Sequence, residues 1–150
     1  MAHTYTSLFY HIVFSTKYRV RYIRPEIEQQ VWEYMGGVMR QHKLTALQIG
    51  GIDDHIHALI MALPTLAPSQ IVQFLKGGSS RWIHETFPDL HAFAWQEGYG
   101  AFTVSKSGLE AVVRYIQNQR THHQKQSYQA EYLEFLRRHA VEYDERYVWG

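Results

Sequence analysis

The sequence predicts an α+β domain of the ferredoxin-like type, with helices packed on one face of an antiparallel sheet. The predicted segments run strand, helix, strand, strand, helix, strand. Glycine and aspartate pairs separate the second and third strands, which is typical of a hairpin. Two further helical segments follow, so we expect an appended tyrosine-bearing helix and a C-terminal helix. The 150 residues are too few for an eight-fold barrel of roughly 250, so residues 1–150 are predicted to form a single domain.

The strands are predicted from short runs of apolar residues bounded by turn-forming residues. The first run is apolar at successive positions, as expected of a strand with a layer on each side. The predicted strands are Leu8 to Phe14, Leu44 to Ile49, His55 to Leu63 and Ala101 to Val104.

The helices are predicted from apolar residues at helical spacing. Ser107 and Glu110 have the spacing of a capping box, which predicts the start of the third helix. The predicted helices begin at Pro25, run from Ser69 to Thr86, run from Ser107 to about Gln124, and run from Tyr128 to His139.

Composition restricts the kind of site this chain can build. Lysine and arginine number 15 and aspartate and glutamate 14, so the net charge of +1 carries no global signature of nucleic-acid binding. With no cysteine, metal ligands must be histidine, carboxylate, amide or backbone oxygen. The longest apolar stretch, Ala58 to Leu63, is far too short to span a membrane, and we expect a cytoplasmic protein with no membrane partner.

Two histidines lie two positions apart on the third predicted strand. Side chains alternate between the faces of a strand, so His55 and His57 point the same way and Ile56 points to the other layer. Side-by-side imidazoles suit a metal site, but they suit ordinary hydrogen bonding at a sheet equally well. A metal site would need a third ligand from elsewhere in the chain.

The third predicted helix offers a candidate for that ligand. Tyr115 and Gln119 are four residues apart and share one flank, beside the apolar stripe of the helix. They could border a site next to the sheet. They could equally be a half-buried aromatic and a solvated amide, and the spacing does not distinguish the two interpretations.

Several segments spread along the chain add a more specific pattern. They are Tyr10 to Arg19, Asp54 to His57, Phe74 to Trp82, Gly98 to Phe102, Tyr115 to Gln119 with His122 and His123, and the tail Glu142 to Trp149. Together and in this order, they resemble the IS-200/IS-605-type, single-tyrosine HUH transposases.

The resemblance implies a function and a set of site residues. It makes His55, His57 and Gln119 ligands of a divalent ion, Mg²⁺ or Mn²⁺, and makes Tyr115 the nucleophile that forms a 5′-phosphotyrosine on single-stranded DNA. It also implies DNA hairpins at element ends, and a homodimer whose active sites could be completed in trans. Neutral imidazoles and an amide would leave the charge of the ion available to a phosphate, which agrees with this function. Asp53, Asp54 or water could serve as acid or base.

Basic residues suggest where DNA could bind. In an extended segment, Lys17, Arg19 and Arg21 would present three cations on one side, with Arg24 just beyond, although a charge-protected edge strand is nearly as compatible. Further candidates, each also compatible with a solvated helix position, are Lys76, Arg81, Arg114 and Arg120. His122 and His123 are assigned no role.

Three alternatives remain beside an insertion-sequence transposase. One is a domesticated relative of the REP-associated tyrosine transposase type. Another is a non-catalytic module that binds single strands through aromatics on the sheet. The third, a small metallohydrolase that uses water as its nucleophile, has no obvious carboxylate base after the histidines.

Overall fold

A computed structural model describes residues 3–150 of the chain. The strands are β1 (Phe9–Ser15), β2 (Thr45–Ile52), β3 (His55–Met61) and β4 (Gly100–Thr103). The helices are α1 (Pro25–Gln41), α2 (Pro68–Thr86), α3 (Leu109–Gln117), α4 (Gln119–His122) and α5 (Tyr128–Arg138). None of the helices in this range is long and apolar enough to cross a membrane.

The four strands form one antiparallel sheet in the order β2-β3-β1-β4. Together with the order of elements along the chain, this confirms the predicted ferredoxin-like architecture. Ile52 pairs with His55, so β2 and β3 form a hairpin with a two-residue turn, as predicted. The third strand pairs with both β1 and β2, and its residues are therefore held on both sides.

The main apolar core lies between one face of the sheet and helices α1 and α2. On the strands it includes Ile12, Phe14 and Ile56, which are fully buried. Residues at two-residue spacing on a strand share a face, so this core takes every second side chain of β1 and β3. The intervening side chains are turned to the opposite face.

The opposite face of the sheet is covered by the appended segments. Val13 and Phe102 on this face pack with Tyr128, Tyr132 and Leu136, which recur every four residues along α5. Such spacing places the three side chains in one stripe of the helix. The first strand is therefore buried between two layers, as its apolar sequence predicts.

Two details of the third helix differ from the prediction. The capping box is wrong: α3 starts at Leu109 after a 3-10 turn, and the Ser107 hydroxyl pairs with Ser105 instead. The helix also does not continue to Gln124, because Asn118 leaves the helical conformation and separates α3 from α4. Tyr115 and Gln119 thus lie on two helical segments.

The basic segment after β1 is not extended. Lys17 to Arg19 form a 3-10 turn in which Tyr18 and Arg19 have positive φ angles of 58° and 55°. Such angles are uncommon for residues other than glycine. The alternation that would have placed Lys17, Arg19 and Arg21 on one side is therefore absent from this turn.

The tyrosine-bearing helix α3 is seated on the sheet at Gly50 of β2. A Cβ atom built at Gly50 would lie 2.9 Å from Cγ2 and 3.1 Å from the carbonyl oxygen of Ile116, which is buried. The absence of a side chain at Gly50 lets the backbone of α3 approach the strand closely. This contact fixes the height of Tyr115 above the sheet.

Replacing Gly50 with alanine should force α3 away from β2. We expect Gly50→Ala to lower the free energy of unfolding by about 1–3 kcal/mol, the usual cost of overpacking a filled contact. The matched control is Gly77→Ala in α2, where no atom lies within 4 Å of the new methyl group and helix propensity should add about 0.5–1 kcal/mol. Urea denaturation measures both, and equal stabilities for the two variants would contradict the proposed seat of α3.

Candidate metal centre

The two strand histidines point into the layer between the sheet and the appended helices. His55 and His57 are fully buried, on the face opposite Ile56, as predicted. In the ladder, His57 lies across from Val13 of β1 and Gly50 of β2. The two imidazoles sit 5.2 Å apart between ring centres, nearly perpendicular to each other.

Gln119 reaches the same point from the start of α4. Its side-chain oxygen lies 2.9 Å from Nε2 of His55 and 2.9 Å from Nε2 of His123. Its amide nitrogen donates to the carbonyl of Tyr115 at 3.3 Å. The side chain is buried, with its oxygen turned toward the imidazoles. The break at Asn118 sets Gln119 at the head of its own short helix.

A carboxylate from α5 occupies the centre of the cluster. Glu131 is 2% exposed, and its Oε1 atom lies 2.9 Å from Nε2 of His57 and 3.6 Å from Nε2 of His55. The Oε2 atom lies 3.2 Å from Nε2 of both His122 and His123. Each carboxylate oxygen therefore faces a different pair of imidazoles.

Tyr115 lies at the edge of this cluster, half-buried. Its hydroxyl donates a hydrogen bond to Oε2 of Glu131 and lies 3.3 Å from Nε2 of His122. Burial and the negative charge of Glu131 both raise the pKa of Tyr115 well above its usual range. The tyrosine is thus a neutral donor here, and its oxygen borders a cavity of about 60 Å³.

The carboxylate of Glu131 is ionised in this setting. Burial alone would raise its pKa, but the surrounding imidazoles, through charge and hydrogen bonds, hold the pKa of Glu131 well below its usual range. Burial lowers the pKa of His57. For His123, burial also acts to lower the pKa, but the hydrogen bond to Glu131 raises it overall. Of these two rings, His123 is therefore the one whose protonated form the carboxylate favours.

A second set of contacts holds the strand histidines from behind. Nδ1 of His55 lies 2.8 Å from Oδ1 of Asp54, and Nδ1 of His57 lies 2.8 Å from Nε2 of His11. Burial lowers the pKa of His11 to about 3, so this ring is neutral, and its Nε2 atom can accept a hydrogen bond from Nδ1 of His57. An ion at this cluster would need Nε2 of both strand histidines unprotonated, and the contacts with Asp54 and His11 would then keep the remaining proton on Nδ1 of each ring.

The donor set fits a divalent ion. The nitrogens of His55, His57 and His123 and an oxygen of Glu131 all lie within 4.8 Å of one another. Two ligands about 2.1 Å from one ion, at octahedral or tetrahedral angles, are about 3.0–3.4 Å apart. The distances from the carboxylate oxygens of Glu131 to Nε2 of the three histidines are 2.9–3.6 Å, close to that range. This buried group could therefore bind a metal ion.

His123 and Glu131 are the residues that the sequence analysis missed. A signal existed for Glu131: it lies three residues after Tyr128, on the apolar stripe of α5, where an unpaired carboxylate is costly. The sequence showed no obvious carboxylate base after the histidines, but Glu131, 74 residues after His57, contacts that histidine. Of the suggested acids and bases, Asp54 bonds to His55, and Asp53 pairs with Arg21 and Arg120.

Most of the basic side chains predicted to contact DNA have protein partners. Lys76 donates to three backbone carbonyls at 2.7–3.0 Å, and burial lowers its pKa to about 8. Arg19 donates to the carbonyl of Trp149. The remaining ion pairs are Arg24 with Asp89, Arg81 with Glu85, and Arg120 with Glu28. Arg114 and Lys17 are exposed, and every predicted DNA contact stays a prediction.

Comparison with known proteins identifies related sequences. Residues 4–119 match the family described as Transposase IS200 like. The ISDra2 transposase TnpA of Deinococcus radiodurans is 27% identical over 115 residues, which span 73% of this chain and 82% of that protein. The transposase for insertion sequence element IS200 of Salmonella typhimurium is 32% identical over 124 residues, which span 79% of this chain and 81% of that protein.

Two solved structures share the fold. A crystal structure of a candidate transposase from Deinococcus radiodurans aligns with a TM-score of 0.65 at 26% identity, covering 79% of this chain and 96% of the other. A REP-associated tyrosine transposase bound to a REP hairpin aligns with a TM-score of 0.60 at 13% identity, covering 82% and 73%. The family match covers more than half of the residues, and it confirms the resemblance seen in the sequence. The chain belongs to the IS200-like family of DNA transposases.

Proposed function

We propose that this transposase cleaves and rejoins single-stranded DNA at insertion-sequence ends through a 5′-phosphotyrosine on Tyr115. His55, His57 and Gln119 would hold a divalent ion, Mg²⁺ or Mn²⁺. One observation carries the proposal: the hydroxyl of Tyr115 donates a hydrogen bond to the carboxylate of Glu131, which also contacts both strand histidines. The nucleophile and the metal donors thus share one buried cluster in a single chain.

The side chains of the cluster would divide the work. Asp54 and His11 would keep a proton on Nδ1 of His55 and His57, so that Nε2 of each ring is free to bind the ion. Gln119 would add an oxygen ligand. A bound ion would polarise a phosphate oxygen and hold the phosphorus in line with the attacking oxygen. Tyr115 forms a bond to phosphorus, the bond from phosphorus to the 3′ oxygen breaks, the tyrosine proton passes to a neighbouring acceptor, and the 3′ oxygen takes up a proton and leaves as a hydroxyl.

Rejoining follows from the same chemistry. The phosphotyrosine bond keeps the energy of the phosphodiester it replaces, so a 3′-hydroxyl can attack it and release Tyr115 without ATP. Cleavage and strand transfer are then the forward and reverse directions of one reaction. This matches what a transposase must do, since it breaks two junctions and makes new ones.

The DNA partner is proposed to carry hairpins at the element ends. The family resemblance and the shared fold with a hairpin-bound transposase support this. The exposed cations Lys17 and Arg114 are our first candidates for phosphate contacts. A homodimer stays a prediction, as does a cytoplasmic location. Completion of the active site in trans also stays a prediction; within one chain, the hydroxyl of Tyr115 contacts Glu131.

Two alternatives are kept for specific reasons. A domesticated REP-associated enzyme would use the same residues, and the DNA flanking its gene distinguishes it. A non-catalytic binding module would not need a tyrosine hydrogen-bonded into a histidine cluster, so the geometry around Tyr115 argues against it. The metallohydrolase gains a carboxylate in Glu131, but family membership favours the transposase.

Loss of the tyrosine hydroxyl should abolish the covalent intermediate. We expect the wild-type protein with Mn²⁺ to form an adduct with labelled single-stranded DNA from the flanks of its own gene, and Tyr115→Phe to form none. The adduct is read on a denaturing gel. Tyr132→Phe is the matched control. Tyr132 lies in the apolar cluster between α5 and the sheet, so this variant should still form the adduct.

The outcome separates the functional alternatives. An adduct that survives in Tyr115→Phe would remove Tyr115 from the nucleophile role. Tight binding of the same DNA by the wild-type protein, with no adduct in Mn²⁺ or in EDTA, would favour the binding module.

A bound ion should also stabilise the fold. At about 100 times its dissociation constant, an ion that binds only the folded chain adds about 2.7 kcal/mol to the free energy of unfolding. We expect Mn²⁺ to raise the melting temperature of the wild-type protein, with reversal by EDTA, and expect no rise in His57→Ala. The exposed His91 provides the control, since His91→Ala should respond as the wild type does. An equal rise in His57→Ala would place the ion elsewhere.

A further inference from the structure

We propose that Glu131 is a further ligand of the divalent ion, and that one carboxylate bridges the ion and the nucleophile. Its Oε1 atom would bind the ion, and its Oε2 atom would hold the hydroxyl of Tyr115 beside it. This inference rests on the proposed function and deepens it. It assigns a role to an α5 residue outside the segment matched by the family.

The first argument is the environment of the carboxylate. Glu131 is 2% exposed and lies on α5 beside the buried tyrosine and leucine side chains of that helix. Taking a carboxylate out of water costs several kcal/mol unless a compensating charge and hydrogen bonds are present. Here six side chains contact it, and four of them are imidazoles, the kind of group that binds metal. Those contacts come from His55, His57, His122, His123, Tyr115 and Gln119.

The second argument is distance. The Oε1 atom lies 2.9 Å from Nε2 of His57 and 3.6 Å from Nε2 of His55. Ligands of one ion lie about 3.0–3.4 Å apart, so Oε1 already has the spacing of a third ligand beside His55 and His57. The hydrogen bond from His57 would be replaced by the ion, without a large movement of either side chain.

The third argument is the division of the two oxygens. While Oε1 faces the strand histidines, Oε2 accepts the hydrogen bond from Tyr115. One rigid planar group therefore fixes the tyrosine oxygen relative to the ion ligands. Positioning of this kind is what an in-line displacement at phosphorus requires.

The fourth argument is ligand chemistry. Two imidazoles and one amide offer a single oxygen, and nitrogen-rich sites favour zinc or copper. A carboxylate oxygen would shift the set toward Mg²⁺ and Mn²⁺, which prefer oxygen. It would also cancel one of the two charges of the ion in a buried site.

The test measures metal binding without DNA. Isothermal titration with Mn²⁺ compares the wild-type protein, Glu131→Gln and Glu134→Gln. We expect Glu131→Gln to bind at least tenfold more weakly. Glu134 lies on the same helix but pairs with Arg138 and Gln126, so Glu134→Gln should bind as the wild type does.

A second variant guards against a merely structural effect. Histidine reaches about as far as glutamate, so Glu131→His should keep a ligand while replacing oxygen by nitrogen. We expect the ratio of Zn²⁺ affinity to Mn²⁺ affinity to rise at least tenfold, which loosened packing alone would not produce. At saturating Mn²⁺, the rate of adduct formation by Glu131→His should fall, because Oε2 is lost.

The outcomes distinguish this inference from the proposed function. If Glu131→Gln binds Mn²⁺ as tightly as the wild type, or more tightly, Glu131 is not a ligand, while the adduct experiment with Tyr115 still stands. If the wild-type protein binds no Mn²⁺ and forms no adduct, both proposals are overturned.

Discussion

The buried carboxylate of Glu131 is the constraint on which the functional half of this molecule depends. A charge with 2% exposure persists only where it is surrounded by donors, and here the donors come from β3, α3, α4 and the loop after α4. Because these donors belong to four different segments, the hydrogen bonds of one side chain order four segments at once. The apolar stripe of α5 holds the helix on the sheet, and Glu131 fixes what that helix covers.

The sheet supplies the rigid frame for this arrangement. Antiparallel pairing places His11 and His57 on the same face of neighbouring strands, with their ring nitrogens 2.8 Å apart. The two-residue turn between β2 and β3 brings Asp54 directly against His55. The supporting contacts are thus set by strand register, which cannot shift by one residue without turning the imidazoles into the main core. The tyrosine and the other proposed ligands then lie on helices, while the two strand histidines are held by the sheet.

Much of this was predictable from sequence, and the exceptions have physical reasons. The order of strands and helices along the chain and the shared face of His55 and His57 follow from local periodicity, which the sequence displays directly. The end of α3 at Asn118 and the turn at Tyr18 do not, because tertiary contacts decide them. The convergence of Glu131 and His123 on the strand histidines joins residues 64 or more positions apart and has no local signature. A resemblance carried residue by residue could supply only positions within the shared motifs.

The residues matched to the family end at Gln119, before the helix α5. Residues 4–119 hold the two strand histidines, the tyrosine and the amide, which together form an electrically neutral set. The negative charge enters with α5. Two chains could therefore agree at every shared position and still present a phosphate with centres of different net charge. In this architecture, the electrostatic strength of the site depends on the appended helix and can change independently of the sheet that carries the two histidines.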